Sequence, residues 1–471
     1  LISLLVSRNR YLIAILLYGL LVIGATLNFN SPYHDEALNI LMGRQILAAE
    51  PIPGAAQNTG SVAVQPIFAA VGDSIGGIWG ARAVGIVFGL ALTVIIYLSA
   101  LTILPKTLSL FAAAIFLFSG TTMYLAKLAT YDIVAAFFLG LSFLGILRAE
   151  KSAKHGGLWL LTAAAALFLA AITKYVAAIY ALPLLLFALV MKRRLLVVSS
   201  LILPFLTLLG LYLWFALYPV VDSLMGSMLS VYTESRVSTL QLASWAFRWV
   251  AMPYLLAFFG FFHEKYGRTA LILTALSTPV ILFHLLTGAE QSVNKNVIFS
   301  MIFLAPAAAI GIDHLGNIFS FNASSSWVKP FFTTTLFLVL WAFGLSQLQW
   351  LQKQYPNLEP VVTYFQKNGR DGMTVVIDSD FGDAVYTYSL TNHFPNARFS
   401  SISEHDRSYQ DSSLHRTFPD YIILDDYYTK KPYRVKALAY IREGHYFRLD
   451  SFEANMSWGK KNITIYSRRS Q

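Results

Sequence analysis

The sequence predicts a polytopic α-helical membrane protein with about 11 transmembrane helices and a C-terminal extracytoplasmic α/β domain. Three observations carry that expectation. The 471 residues are 56% hydrophobic and 13% charged, whereas soluble domains carry about 25% charged residues. Apolar runs such as "YLIAILLYGLLVIGATL" and "SSLILPFLTLLGLYLWFALYP" are long enough to cross ~30 Å of hydrocarbon as helices. After Trp350 the long apolar runs stop and short strand-like runs replace them.

The expected spans are 11–27, 82–103, 108–124, 131–148, 157–173, 176–191, 196–217, 249–263, 269–286, 296–312 and 328–347. Most approach the ~20 residues a spanning helix needs. The first has a basic flank but lacks a small-residue cleavage site, so it is expected to remain as a span. Orientation follows from Lys and Arg in short loops. Arg8 and Arg10, Lys106, then Arg148, Lys151 and Lys154, then Lys192, Arg193 and Arg194, then Lys265 and Arg268, and finally Lys329 occupy alternate connections. Those connections go to the cytoplasm. The outer face then holds loops 28–81, 218–248 and 287–295, with a transmembrane domain at 1–349 and an outer domain at 350–471.

In the outer domain, "TVVIDSD" and "PDYIILDD" are short apolar runs ending in acids, the pattern of buried strands. "LEPVVTYFQKNG" reads as a helix closed by Gly369. "HYFRLDSFEA" and "NITIYSR" alternate like half-exposed strands.

The +10 net charge falls largely in the short loops, and no basic patch interleaved with aromatics appears, so nucleic acid is not an expected partner. The absence of cysteine excludes disulfides and thiolate metal sites. "VVIDSDFGD" is similar to the Asp-X-Asp signature of enzymes that use nucleotide sugars, but the topology puts Asp378 and Asp380 outside, away from those cytoplasmic donors. The sequons "NAS" and "NIT" carry no weight, the first lying on the cytoplasmic side.

Ionisable groups at membrane depth are costly and usually face a protein cavity. The outer-face cations are Arg44, Lys127, Lys174, Arg236, Arg248 and Lys295, and the acids near the same level are Asp35, Glu36, Asp132 and Glu290. Single cations from separate chain regions at one depth, facing a carboxylate pair, suit an anionic lipid head group with a base beside it. Structural roles compete. Ser31-Pro32 can start a helix that leaves Asp35 and Glu36 as first-turn acids. Lys127 and Asp132 can pair across a tight turn, Lys174 can snorkel, and Lys295 and Arg44 can bind bulk lipid phosphates.

Together, "HDEALNILMGRQIL", "AKLATYDIVAAFF", "ITKYVAAIYALPLLL" and "SVNKNVIFSMIFLAPAAAIGI" resemble the C-type membrane glycosyltransferases, which take sugar from a polyprenyl phosphate. Within them the chain looks most like the branch of protein O-mannosyltransferases and the lipid A aminoarabinose transferase, over about residues 1–350. The resemblance implies that Asp35 is the essential acid and Glu36 its partner. It puts Lys127 where relatives usually have Arg, makes Asp132 the acid opening the fourth span, and places Lys174 and Lys295 near the carrier phosphate. Gln65-Pro66 departs from the Lys-Pro or His-Pro of relatives.

On this basis the expected reaction is sugar transfer from a polyprenyl-phosphate-linked donor to an acceptor protein, lipid or glycan, at the outer face of the inner (plasma) membrane. Asp35 is the expected base, with Glu36 and Asp132 as further catalytic acids. Lys127, Lys174, Lys295 and Arg44 serve the phosphate, and direct displacement gives inversion. Helix 35–49 would lie along the interface through Leu38, Leu41 and Ile46, and "VYTESRVSTLQLASWAFRW" would cover the site. A divalent metal on His34, Asp35 and Glu36 is left open, their spacing giving no complete ligand set. The competing reading is a transporter or flippase of an anionic lipid; no repeated halves support it.

Overall fold

Long apolar helices account for most of the chain in a computed structural model. The structure describes residues 2–50, 64–190, 193–216, 237–289, 292–321, 327–378, 382–402, 419–426, 431–444, 446–456 and 459–468. These fall into two units, Leu1–Leu27 with Gln45–Leu348, and Asn28–Arg44 with Gln349–Gln471.

The α-helices longer than four residues up to residue 352 are α1 (Ile2–Gly24), α2 (His34–Leu47), α3 (Val64–Ile103), α4 (Lys106–Leu117), α5 (Gly120–Leu125), α6 (Tyr131–Lys151), α7 (Gly156–Thr173), α8 (Ala181–Leu189, preceded by a 3-10 turn Tyr175–Tyr180) and α9 (Leu203–Ala216, continuous with a short helical lead from Arg194). They continue as α10 (Thr239–Gly260), α11 (Gly267–Ser277), α12 (Pro279–Thr287), α13 (Val293–Phe321) and α14 (Val328–Gln352). Among the described residues, 8 helical stretches are long and apolar enough to cross a bilayer; Asn9–Gly24, Lys106–Leu117 and Tyr175–Leu189 are shorter apolar helices at other expected spans.

In the membrane unit α13 is the hub. Of its apolar window 89% is buried, against 17% for Arg194–Trp214, so the latter helix lies at the periphery. Residues 295–312 are buried without a break, as expected of a helix that is apolar all round. It packs against α4, α6, α10 and α11, and Gly311 lets the α10 backbone come close, since a Cβ there would clash with the Leu256 carbonyl.

The structure corrects two boundaries: α10 begins at Thr239, ten residues before the expected span 249–263 and inside the presumed loop 218–248, and α3 also starts early. The second span was expected from residue 82, but α3 begins at Val64, so part of the presumed loop 28–81 is helical. The helix breaks at Gly77, where φ 58 and ψ −149 give a backbone that side chains resist. Further along α3, a Cβ on Gly85 would fall 2.6 Å from the Leu128 carbonyl oxygen. Glycine there lets α3 lie directly against the connection that carries Lys127.

The second unit contains α15 (Glu359–Asn368), β1 (Thr374–Ile377), α16 (Gly382–Thr391), β2 (Arg398–Ser401), β3 (Tyr421–Asp425), α17 (Lys431–Glu443), β4 (Tyr446–Met456) and β5 (Gly459–Arg468). The sheet order is β2-β1-β3-β5-β4. β1 pairs in parallel with β2 and β3, Val376 facing Ser400 and Ile422; β5 then runs antiparallel to β3 and β4. Central strands covered on both faces read as continuous apolar runs, which is why "TVVI" and "YIILD" do not alternate. One core gathers Val376, Ile422 and Leu424 with Ala437 and Tyr440 of α17.

The strand-end acids are internal ties. Asp378 Oδ1 accepts from the Asp425 amide at 2.7 Å, and Tyr386 donates to Asp425 Oδ2 at 2.8 Å. Arg434 bridges Asp378 and Asp426. Asp380 lies outside the described residues.

Candidate active site

Helix α5, which leads into the connection 126–130, is capped by Ser119, whose side chain accepts from the Thr122 amide at 3.3 Å. Lys127 is fully buried and donates to Thr26 Oγ1 at 2.6 Å. Arg82, also buried, donates through Nη1 to the Leu27 carbonyl at 2.7 Å. Because Thr26 and Leu27 are consecutive, the two cations meet at one place. Burial, and then the Arg82 charge, lower the Lys127 ammonium to about 7.

Asp132 stands in the first turn of α6, while Lys174 occupies an extended break after α7 with φ −150 and ψ 115. The two form an ion pair. Each charge sits at the helix end whose dipole favours it. The pair removes two of the competing structural roles: Asp132 partners Lys174 rather than Lys127, and Lys174 is buried rather than snorkelling. Lys174 Nζ also lies 5.2 Å from the Tyr131 ring centroid and 5.9 Å from that of Phe299.

Phe299 is one helical turn beyond Lys295, so the two share a face of α13. Lys295 is buried in the first turn of α13, the end where a helix dipole repels a cation. Nearby, His284 Nδ1 lies 2.8 Å from the Ala289 carbonyl oxygen and Nε2 lies 3.0 Å from Asn296 Nδ2. A neutral imidazole with Nδ1 protonated satisfies both contacts, donating at one nitrogen and accepting at the other. This ties α12 to the turn of α13 that carries Lys295.

Several buried polar atoms in these segments have no hydrogen-bond partner among the described residues: Thr130 Oγ1, Asp132 Oδ2, Thr173 Oγ1 and Asn296 Oδ1. Buried polar groups are ordinarily paired. Thr173 and Asn296 each adjoin a buried lysine in sequence, and Asp132 is ion-paired to one.

In the other unit, Asp35 and Glu36 open α2. The helix begins at His34 rather than at Pro32. Glu36 is buried and its Oε2 accepts from the Tyr33 amide at 2.9 Å, a carboxylate reaching back to cap its own helix. Asp35 is half-buried, and its carbonyl accepts from Asn39 Nδ2 at 2.6 Å. Arg44, in the last turn, has its guanidinium 5.3 Å from the Tyr388 ring centroid.

Arg248 is exposed. Arg236, Glu290 and residues 231–236 of the expected covering segment 231–249 lie outside the described residues, and from Thr239 that segment is the first part of α10. No group of three or more His, Cys, Asp or Glu able to hold a metal occurs among the described residues. His34, Asp35 and Glu36 are successive helix positions, which project about 100° apart.

Sequence reasoning missed Arg82, His284 and Asn296. Arg82 had a signal, a lone guanidinium at the first residue of an expected span. Asn296 adjoins Lys295, whereas His284 inside "PVILFHLLT" gave no hint of its partners.

Together these features define a class: multi-pass membrane proteins with the fold of the C-type glycosyltransferases. The fold matches ArnT from Cupriavidus metallidurans bound to undecaprenyl phosphate, with TM-score 0.61 and 11% identity over 97% of this chain and 98% of that one. It also matches the oligosaccharyltransferase AglB from Archaeoglobus fulgidus in complex with an inhibitory peptide and a dolichol-phosphate, with TM-score 0.57 and 10% identity over 98% and 75% of the two chains. The arabinofuranosyltransferase AftD from Mycobacteria gives TM-score 0.53 and 11% identity over 98% of this chain and 40% of that one. Residues 62–221 match the family model described as dolichyl-phosphate-mannose-protein mannosyltransferase. No curated protein matches the sequence. The resemblance to C-type membrane glycosyltransferases is borne out in both the fold and the family model.

Proposed function

We propose that this protein is an integral membrane glycosyltransferase that moves one sugar from a polyprenyl-phosphate carrier to an acceptor hydroxyl at the extracytoplasmic face. The observation that carries this reading is the set of buried cations Arg82, Lys127, Lys174 and Lys295 in the membrane unit. Burying cations among apolar helices is costly, and an anionic head group offsets that cost. Proteins of the same fold hold undecaprenyl phosphate and dolichol-phosphate.

In the proposed step the acceptor oxygen forms a bond to the anomeric carbon as the bond from that carbon to the phosphate oxygen breaks. The electron pair leaves with the phosphate, where Arg82 and the three lysines meet the growing charge. Asp35 takes the acceptor proton from the opposite side, within about 3 Å of the attacking oxygen. One displacement inverts the anomeric centre. Glu36 caps α2 and thereby fixes the backbone of Asp35. Asp132 holds Lys174 in place. The acceptor is a protein, lipid or glycan hydroxyl, and the membrane is the inner (plasma) membrane, as the loop charges support.

The test is native mass spectrometry of the purified protein with added undecaprenyl phosphate, for wild type and for Arg82→Met and Lys295→Met. One bound lipid per chain that is lost in both variants supports the reading. Unchanged retention in the variants, or no preference over phosphatidylglycerol, contradicts it. Transport of the intact phosphosugar across liposomes without its turnover would favour the flippase.

A further inference from the structure

The helix bearing Asp35 is built onto the C-terminal unit. Residues 28–44 group with 349–471, although more than 300 residues separate them in sequence. Both ends of α2 are fastened there. At its start, Asn30 Nδ2 donates to the Tyr355 carbonyl at 2.7 Å. Ser31 Oγ donates to the Pro356 carbonyl at 3.2 Å and accepts from the Leu358 amide at 2.9 Å, where α15 begins. The Tyr33 and Tyr355 rings lie against each other with centroids 3.9 Å apart. At its end, Arg44 lies over Tyr388 of α16, a buried residue of the helix that packs on β1 and β2.

Local sequence explains why α2 needs this support. Its 14 residues are near the length at which isolated helices are marginal in water. Its buried residues include Asn39 and Glu36 beside Ile40 and Met42, so it has no wide apolar stripe of its own. The external fastenings supply the rigidity that a catalytic carboxylate requires.

We propose that the C-terminal unit is the frame that aims Asp35, with Ser31, Tyr355 and Tyr388 as positioning residues. This rests on the reading of Asp35 as the base. The frame fixes where the carboxylate stands relative to its own helix ends, so loosening it slows transfer while leaving the lipid phosphate bound. A displacement of about 1 Å in a positioned group is enough for a loss on the order of 100-fold.

The experiment compares full-length wild type, the double variant Tyr355→Ala/Tyr388→Ala, the double variant Tyr355→Phe/Tyr388→Phe, and Asp35→Asn. Three quantities are read: amide hydrogen exchange over 34–47, undecaprenyl-phosphate binding, and release of undecaprenyl phosphate from whichever synthetic undecaprenyl-phosphate sugar the wild type turns over. The alanine pair should speed exchange in 34–47, lower kcat about 100-fold and leave binding unchanged. The phenylalanine pair keeps both ring contacts and should restore kcat and exchange. Unchanged exchange in the alanine pair overturns the frame, as does wild-type kcat despite faster exchange. If the phenylalanine pair is as slow as the alanine pair, ring packing is not what holds the helix, and the assignment to Tyr355 and Tyr388 falls. Transfer that survives Asp35→Asn overturns the base assignment alone; the exchange result then decides the frame.

Discussion

Replacing Lys174 with methionine removes the positive member of a buried ion pair. The Asp132 side chain is 0% exposed and that of Lys174 is 6%, so water cannot take over the lost contact. Asp132 Oδ2 already lacks a partner among the described residues, which leaves the carboxylate with less compensation still. Breaking such a pair from one side costs about 3–5 kcal/mol, whereas replacing both members with apolar groups is often neutral. Lys174→Met should therefore lose about 3–5 kcal/mol and Lys174→Met/Asp132→Leu should regain most of it, a coupling well above what distant sites show. The assay is thermal unfolding of the two variants and of Asp132→Leu in one detergent, with undecaprenyl-phosphate binding measured on each. The stable double variant should still fail to bind, which separates the pair's part in folding from its part in the site. A double variant as unstable as the sum of the singles would refute the reasoning, because each residue would then be acting through other partners.

Glu36→Gln should retain turnover, since glutamine can make the same cap to the Tyr33 amide, whereas Glu36→Ala should destabilise by about 0.5–2 kcal/mol in a melt. Undecaprenyl-phosphate affinity should fall as pH rises through about 7, because Lys127 is charged below that value and neutral above it. Lys127→Arg, measured by the same binding titration, should flatten that profile. Gly85→Val should weaken lipid binding by displacing the connection that carries Lys127, since even a Cβ would lie 2.6 Å from the Leu128 carbonyl oxygen. Arg434→Met should unfold the C-terminal unit at lower temperature by leaving buried Asp378 without its guanidinium partner, read as a loss of limited-proteolysis resistance.

The fold was legible where one physical rule dominated. Hydropathy located the spans, because lipid tolerates few alternatives to an apolar helix. Short apolar runs ending in acids located β1 and β3, because central strands of a parallel pair must be apolar on both faces. The helical start of α3 was not legible, since "VQPIFAAVGDSIGG" mixes apolar, charged and glycine residues and turns on a single left-handed glycine. In the site, isolated charges could be listed from sequence, but partner choice could not. Asp132 lies five residues from Lys127 yet pairs with Lys174, a choice set by the antiparallel packing of α6 against α7. Ser31 fits a helix cap for α2 by local pattern, yet its hydroxyl receives the amide at the start of α15, a contact that no local pattern encodes. His284 and Asn296 were missed for the same reason, because a hydrogen bond between two helices leaves no periodic trace.

The most direct test of the account is single-turnover release of undecaprenyl phosphate from a synthetic undecaprenyl-phosphate sugar, with the anomeric configuration of the product determined. Wild type should release the lipid phosphate and give an inverted product, and Asp35→Asn should bind the donor normally but release nothing. Retention of configuration, or wild-type release by Asp35→Asn, would contradict the account.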